Sequence, residues 1–392
     1  MPTKSAFSRP LRISHVISGL NVGGAETMLT RLVEWTDREK FLPEVISLTD
    51  AGALSGRIMA SGIPVHALGM RRGVPDPAGI LRLAQRFRQN PPDIVQTWLY
   101  HGDLIGGLAA RLAGIKNIFW CIQNSDLSVQ GSRRTTIATA KLCARLSRSV
   151  PQKIVCVSER AKAIHVSLGY DASRFVLIPN GADTDLFHPY AEARAQCRTE
   201  WGIPETTPVI GMAARYDPQK DYPTFLAAAA LLKADHPEVR FVLCGSGVTS
   251  ENAELVGAIR SAGLMGHVLT LGVRSDTPRV FAAFDIATLC SRFGEAFSLY
   301  LGEAMACGTP VVATDVGDSA YLVGDTGRIV PPGDPRALAS AWAELIRGGE
   351  GLRHELGSAA RRRVQESFSL QETVRQYAEL HAASGSATTK NS

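Results

Sequence analysis

Short runs rich in β-branched residues alternate with longer segments of helical periodicity along most of the chain. This alternation constrains the fold more than any other feature of the sequence. Candidate strands lie at 12–18, 43–48, 93–97, 117–122, 153–158 and 175–178, and a second series at 208–213, 239–244, 268–271, 286–289 and 310–314. Segments such as 25–35, 80–88 and 222–233 carry the helix-like repeat between them. Strands that alternate with helices cannot pair as hairpins, so they read as parallel sheets covered by helices on both faces. Two series imply two doubly wound α/β domains, as a length of 392 residues also suggests.

The join is expected at 180–201, where Asn180-Gly181 and His188-Pro189 supply turn chemistry and a charged stretch follows. The expected organisation is 1–187 for the first domain, 188–367 for the second, and 368–392 for a closing segment. Within that segment 369–382 is helix-like, and 383–392 is a small polar tail expected to fray.

Composition excludes several classes. Hydrophobic residues make up 45% and charged residues 20%, which argues against extended disorder. A net charge of +5 is too mild to indicate a nucleic-acid binder. The seven cysteines are scattered and contain no C-x-x-C pair, so neither zinc ligation nor a disulfide framework is expected. Residues 1–10 are polar and basic, and Arg12 and His15 interrupt the apolar run that follows, so no signal peptide is expected. The expected place is the cytoplasm.

Four motifs could carry chemistry. Gly19-Leu-Asn-Val-Gly23-Gly24-Ala-Glu26 follows the first strand, where glycines permit close backbone approach and a helix start offers N–H groups to an anion. A tight strand–helix turn explains it equally well, and it is not G-x-G-x-x-G, which both halves lack; a nicotinamide dehydrogenase is therefore disfavoured. Arg215-Tyr-Asp-Pro-Gln-Lys220-Asp221 puts two cations after the first strand of the second series, where open α/β sheets bind ligands. Such a pair suits a pyrophosphate, and a solvated loop is the competing reading. Phe293-Gly-Glu295-Ala-Phe-Ser-Leu-Tyr-Leu-Gly-Glu303-Ala-Met-Ala-Cys-Gly308 sets Glu295 in a loop and Glu303 inside a helix that starts near Ser298 and ends at Gly308. The N–H groups of Phe297, Ser298 and Leu299 at that helix start could hold phosphate oxygens, with the carboxylates accepting sugar hydroxyls. His101 follows the strand at 93–97, where it is either structural or functional. Asp183-Thr-Asp185 looks like a metal motif but sits in a turn, and no metal is expected.

The run from Arg133 to Lys153 holds six Lys/Arg and no acid. Arg134, Lys141, Arg145 and Arg148 share one helical face, with Leu142, Leu146 and Val150 on another. An interfacial helix on an anionic membrane and an ordinary solvated helix both fit.

Taken together, Gly23-Gly24-Ala-Glu26, Pro179-Asn-Gly-Ala-Asp183, Arg215 with Lys220, Gly245-Ser-Gly247, and Glu295 with Glu303 and Ala304-Met-Ala-Cys-Gly308 resemble, in order, the family 4 retaining glycosyltransferases of the GT-B fold. The resemblance spans about 11–382. It implies two Rossmann-like domains facing a central cleft and a nucleotide-sugar donor, UDP-linked by expectation, bound by the second domain. It also implies a glycan or lipid-linked acceptor on the first domain, transfer of a hexose or N-acetylhexosamine, and no metal or other cofactor. By resemblance Arg215 and Lys220 hold the diphosphate, Glu303 the ribose and Glu295 the donor sugar. Gly23 and Gly24 close over the phosphates, His101 lies near the donor sugar, and backbone at 272–276 reads the base. The final helix is implied to cross back to the first domain. Two departures stand out: Ala296 replaces a common glycine, and Asp315-Val-Gly317-Asp-Ser-Ala replaces a Gly-Gly turn with a following Glu. A nucleotide-sugar epimerase or hydrolase of the same shape, and a two-domain ligand-binding protein, are the alternative readings. Working at the inner face of a membrane is the refinement that the basic run suggests.

Overall fold

The computed structural model describes residues 9–71, 76–127 and 132–388, so residues 1–8 and the end of the expected tail, 389–392, lie outside the described residues. Two units emerge: one runs to Asn180 and resumes at Leu370, and the other is Gly181–Ser369. The expected boundaries at 187/188 and 367/368 therefore move to 180/181 and 369/370. The charged stretch read as part of the join is a helix, Ala191–Trp201, which belongs to the second unit.

The first unit contains β1 (Leu11–Ile17), β2 (Phe41–Ser47), β3 (Val65–Ala67), β4 (Ile94–Trp98), β5 (Ile118–Ile122), β6 (Lys153–Cys156) and β7 (Phe175–Leu177). They form one sheet in the order β3-β2-β1-β4-β5-β6-β7, and every pairing is parallel. β4 and β5 are buried along their whole length, as strands covered on both faces must be. On one face Val16, Val95 and Trp120 pack with Leu83, Phe87, Ala109 and Cys143 from the crossover helices. On the other, Ile13, Phe41, Ile94 and Phe119 meet Ala378, Leu380 and Ala382 of the closing helix, Leu370–Thr388. That helix extends past the expected end at 382. It is anchored by Tyr377, which stacks on Trp98 with centroids 6.0 Å apart, and by His381, whose Nε2 lies 3.1 Å from Gln96 Oε1. Burial pushes His381 down to about 3, so it docks as the neutral imidazole.

The second unit contains β8 (Val209–Ala213), β9 (Arg240–Cys244), β10 (Val268–Thr270), β11 (Ile286–Leu289), β12 (Val311–Thr314) and β13 (Arg328–Val330). Its sheet runs β10-β9-β8-β11-β12-β13, again wholly parallel. Ile210, Phe241, Ile286 and Val312 share a core with Phe225, Leu232, Leu338 and Trp342 of two covering helices, Tyr222–Asp235 and Pro335–Arg347. All seven cysteines are buried and free.

One buried ion pair ties the start of this unit to its sheet. Arg198 is 1% exposed; its Nη2 donates to Asp285 Oδ2 at 2.5 Å, and its Nη1 donates to the carbonyls of Pro204, Glu205 and Thr207. Asp285 also accepts from Arg194 Nη2 at 2.9 Å and from the Val209 N–H at 2.7 Å, which fixes the entry to β8. Arg198→Ala removes the more buried cation and orphans three carbonyls. The second unit should lose about 3 kcal/mol, the lower end for breaking a buried pair, because Arg194 still faces Asp285. Urea unfolding checks this, and an unmoved midpoint would contradict it.

Candidate functional site

In both sheets the strand order reverses once, between β1 and β4 and between β8 and β11. At such a reversal the loops after neighbouring strands leave to opposite faces, opening a crevice at the strands' C-terminal edge. The sequence-predicted residues fall on those loops.

In the second unit the chain leaves β8 into Arg215 and a single 3-10 turn, Pro218–Lys220. Asp217 caps that turn by accepting from the Gln219 N–H at 2.9 Å. Asp221, at φ +49°, caps the helix Tyr222–Asp235 by accepting from Thr224 N and Oγ1. Lys220 is thereby held between two capped elements. Its Nζ pairs with Glu295 Oε1, and both side chains are largely buried. The same carboxylate oxygen accepts from Ser291 Oγ at 2.7 Å and from Gln219 Nε2 at 3.5 Å. Arg215, 55% exposed, donates to Gln219 Oε1 at 2.7 Å and to Asp217 Oδ2 at 3.2 Å. The structure thus joins Arg215, Lys220 and Glu295 in one network through Gln219. Lys220 and Glu295, which the resemblance assigns to different parts of a donor, are partners here.

Burial works to raise the Glu295 pKa, but the Lys220 charge, the hydrogen bonds from Lys220 and Ser291 and the Arg215 charge outweigh it and hold the carboxyl below its ordinary value. Two glycines fix the surrounding backbone. Gly245, at φ +142°, lies so close to the β8 loop that a Cβ would sit 2.1 Å from the Ala214 carbonyl oxygen. Gly317, at φ +58°, crosses the Glu295 loop where a Cβ would meet the Glu295 carbonyl oxygen at 1.9 Å, and next to it Asp318 N–H donates to the Ala296 carbonyl at 3.1 Å. The divergent 315–320 segment is therefore the buttress of the Glu295 loop. Sequence reasoning missed the roles of Ser291, Gln219 and Gly317, which depend on loops brought together by the fold.

Phe297 and Ser298 are buried, and Ser298 caps the helix Leu299–Ala306 by accepting from the Leu301 N–H at 3.3 Å. Leu299 opens that helix, and Glu303 lies in its second turn, 8% exposed. In the 272–276 loop Arg274 and Asp276 are locked in a two-pronged pair, and Val273 is left 76% exposed.

The remaining predicted residues lie in the first unit. Gly23 caps the helix Gly24–Trp35 in extended backbone that any residue adopts, and the Glu26 carboxylate occupies the space of its missing Cβ, 2.4 Å away. Gly24 faces open space. His101 sits in the first turn of the helix Leu99–Leu112, just after Leu99 at φ +66°. The close fit of Gly102 and Gly106 against Val16 holds that helix against β1. Burial lowers the His101 pKa, and its Nε2 is 3.5 Å from Thr139 Oγ1. A cavity of about 600 Å³ opens beside it, bordered by Gly19 and Glu26.

Asp183 accepts from the N–H groups of Asp185 and Leu186, as a turn cap does. Among the described residues no group of three His, Cys, Asp or Glu side chains is placed to hold a metal ion. Arg134, Lys141, Arg145 and Arg148 are exposed on the helix Arg134–Leu146 and just beyond it; Val150 is buried, whereas Leu142 is 42% exposed among the cations. No helix among the described residues is long and apolar enough to cross a membrane.

Comparison with known proteins gives two family matches: "Glycosyltransferase Family 4" over residues 22–186 and "Glycosyl transferases group 1" over 207–348. The chain is 28% identical over 323 residues to EpsF of Bacillus subtilis, named as a glycosyltransferase, covering 78% of this chain and 79% of that one. It is 33% identical over 309 residues to the D-inositol 3-phosphate glycosyltransferase of Mycobacterium tuberculosis, covering 76% of this chain but 63% of the relative. Among solved structures it matches Anabaena HepE in complex with UDP-glucose at TM-score 0.82 and 23% identity, covering 94% and 98% of the two chains. It also matches WaaG, a glycosyltransferase involved in lipopolysaccharide biosynthesis, at TM-score 0.73 and 14% identity, covering 94% and 98%. The fold is GT-B.

A pH dependence follows from the Glu295 site. A depressed carboxyl stabilises the folded state in full above its ordinary value of 4.5 and loses that contribution as pH falls through the lower folded value. The stability gap between the wild type and Glu295→Gln should be constant from about pH 7 to about 5.5 and shrink towards about pH 3. Urea unfolding across that range checks it; an unchanging gap would contradict the depressed value.

Proposed function

Since this chain belongs to the family 4, group 1 glycosyltransferases, it transfers a sugar, and we propose that it moves a hexose or N-acetylhexosamine from a UDP-linked donor to a glycan or lipid-linked acceptor in cell-surface polysaccharide synthesis, retaining the anomeric configuration. The observation that carries this reading is the Arg215–Gln219–Lys220–Glu295 network at the β8/β11 reversal. The UDP-glucose complex of HepE, whose fold this chain shares, supports the choice of donor.

Breaking the anomeric C–O bond leaves an electron pair on the diphosphate and positive character on the sugar. Groups aimed at the diphosphate lower that barrier most when they are already fixed in place. Arg215 and Lys220 supply charge, and the N–H groups of Phe297, Ser298 and Leu299 at the helix start are assigned to hydrogen bonds with the phosphate oxygens. Glu303 is assigned to the ribose hydroxyls and Glu295 to the donor sugar. The acceptor oxygen bonds to the anomeric carbon on the face the diphosphate leaves, and its proton passes to a departing phosphate oxygen. His101 is assigned a place near the donor sugar, and Gly23 and Gly24 a place beside the phosphates. The charge stabilisation comes from the chain's own groups, with the nucleotide sugar as substrate and no further cofactor.

Lys220→Ala should reduce transfer by about 10²–10³-fold, the effect of losing one preorganised donor of about 3–4 kcal/mol. Glu303→Ala should weaken UDP binding. Nucleotide release and calorimetry check the two variants, and near-normal values in both would refute the assignment. Release that needs no acceptor, with the sugar epimerised, would favour the epimerase reading instead.

The outer face of the helix Arg134–Leu146 is assigned to an anionic membrane surface, where each cation contributes about 1 kcal/mol near the lipid. The protein should co-sediment with vesicles rich in anionic lipid and release them on reversal of Arg134, Lys141 and Arg145 to Glu. Equal binding to neutral and anionic vesicles would count against a membrane role.

A further inference from the structure

The cavity in the first unit has a lining that a sugar alone does not explain. Its floor is apolar: Leu48 and Met70 are buried there, and Ile80, Leu104 and Ile105 are half-buried. Sugar hydroxyls set against such a floor would lose hydrogen bonds to water without gaining others. A volume of about 600 Å³ suits a ligand larger than one sugar ring. Two guanidinium groups, Arg71 and Arg133, stand exposed at the lining. The acids that share it have local work: Asp76 caps the helix Pro77–Gln89 through the Gly79 N–H at 2.8 Å and pairs with Arg82 at 3.0 Å, and Glu26 lies back against Gly23.

The wall is the second observation. Thr135, Thr136 and Thr139 line the cavity from the start of the helix Arg134–Leu146, whose outward side carries Arg134, Lys141 and Arg145 with the exposed Leu142. One helix therefore contributes both the cavity wall and the cationic surface. A ligand lying in an anionic membrane would meet the cations first and the cavity next.

We propose that this cavity binds the acceptor by the junction between an anionic phosphate and an alkyl or isoprenoid chain, with Arg71 and Arg133 facing the phosphate and the Leu48, Ile80 and Ile105 floor taking the first carbons of the chain. The acceptor class is a lipid phosphate, and its recognition precedes any reading of its sugar. This rests on the transferase reading for what happens to the ligand, but not for whether the ligand binds.

The test uses the full chain and alkyl monophosphates below their micelle concentrations, measured by calorimetry beside UDP. Affinity should rise about fourfold per added methylene over the first several carbons. Decyl phosphate should bind at least tenfold tighter than decyl maltoside and far tighter than inorganic phosphate. The double variant Arg71→Gln/Arg133→Gln should lose that tenfold preference while UDP binding stays unchanged. Ile105→Ser should flatten the chain-length dependence; its UDP affinity and unfolding midpoint report whether it is folded. Equal binding of decyl phosphate and decyl maltoside, or no dependence on chain length, overturns the proposal. Failure to bind UDP while alkyl phosphate binds overturns the donor assignment and leaves this one standing.

Discussion

Parallel strands cannot be joined by tight turns, and that restriction governs both units. Each crossover returns the chain to the same end of the sheet, so every strand-to-helix loop gathers on one edge. Where the strand order reverses, that edge opens into a crevice. Arg215 and Lys220 follow β8 and Ser291 and Glu295 follow β11, so the two loops at the reversal meet side by side. Gly19–Gly24 and His101 stand in the same relation to β1 and β4. β4, β5, β11 and β12 are buried from end to end, so the charged residues at the two reversals come from the loops beyond the strands.

At the β8/β11 crevice the decisive feature is that a lysine and a glutamate neutralise one another while an arginine remains exposed. On the proposed reading a diphosphate would meet Arg215 first and would gain Lys220 only by sharing it with Glu295. Gln219 accepts from Arg215 and donates to Glu295, so a shift of either charged residue is felt by the other. The network is stiff because its backbone has nowhere to go: Gly245 lies against Ala214 and Gly317 against Glu295, at distances that exclude a side chain. Preorganised charge of this kind acts without reorganisation when the leaving group forms.

The sequence displays this architecture unevenly. Buried strands such as β5 and β9 announce themselves by runs of apolar residues, Ile118–Ile122 and Phe241–Cys244, and their expected ends differ from the structure by a residue. β3 and β13 go unseen because His66 and Arg328 break their three-residue runs, whereas β7 and β10, edge strands of the same length, are Phe-Val-Leu and Val-Leu-Thr. The helix Ala191–Trp201 resembles a linker because charged residues recur along it and little of it is apolar; its buried side is only Ala193, Cys197 and Arg198, and the arginine is held by Asp285, 87 residues downstream. Of the site, Arg215, Lys220 and Glu295 are legible as charges in loops that follow strands, and Glu303 as a charge inside a helix. The Lys220–Glu295 pairing is not, because it depends on β8 and β11 being neighbours. Gly317 is illegible for a related reason: its necessity comes from the backbone of another loop.

The same dependence on distant sequence reaches the His101 turn. The chain leaves the first unit at Asn180 and returns at Leu370, and 181–182 lies beside 368–369, where the Ala182 N–H donates to the Phe368 carbonyl at 2.9 Å. The second unit is therefore continuous in sequence, whereas the first is finished only by the last helix. Tyr377 of that helix stacks on Trp98, and Trp98 Nε1 donates to His15 Nδ1 at 3.3 Å. The next residue is Leu99, in a backbone region that costs a side chain about 1–2 kcal/mol and persists only where packing enforces it. His101 lies in the same first turn of the helix. The indole clamped between β1 and the closing helix is thus what holds the strained turn, so the geometry of the histidine depends on a residue as far along the chain as Tyr377.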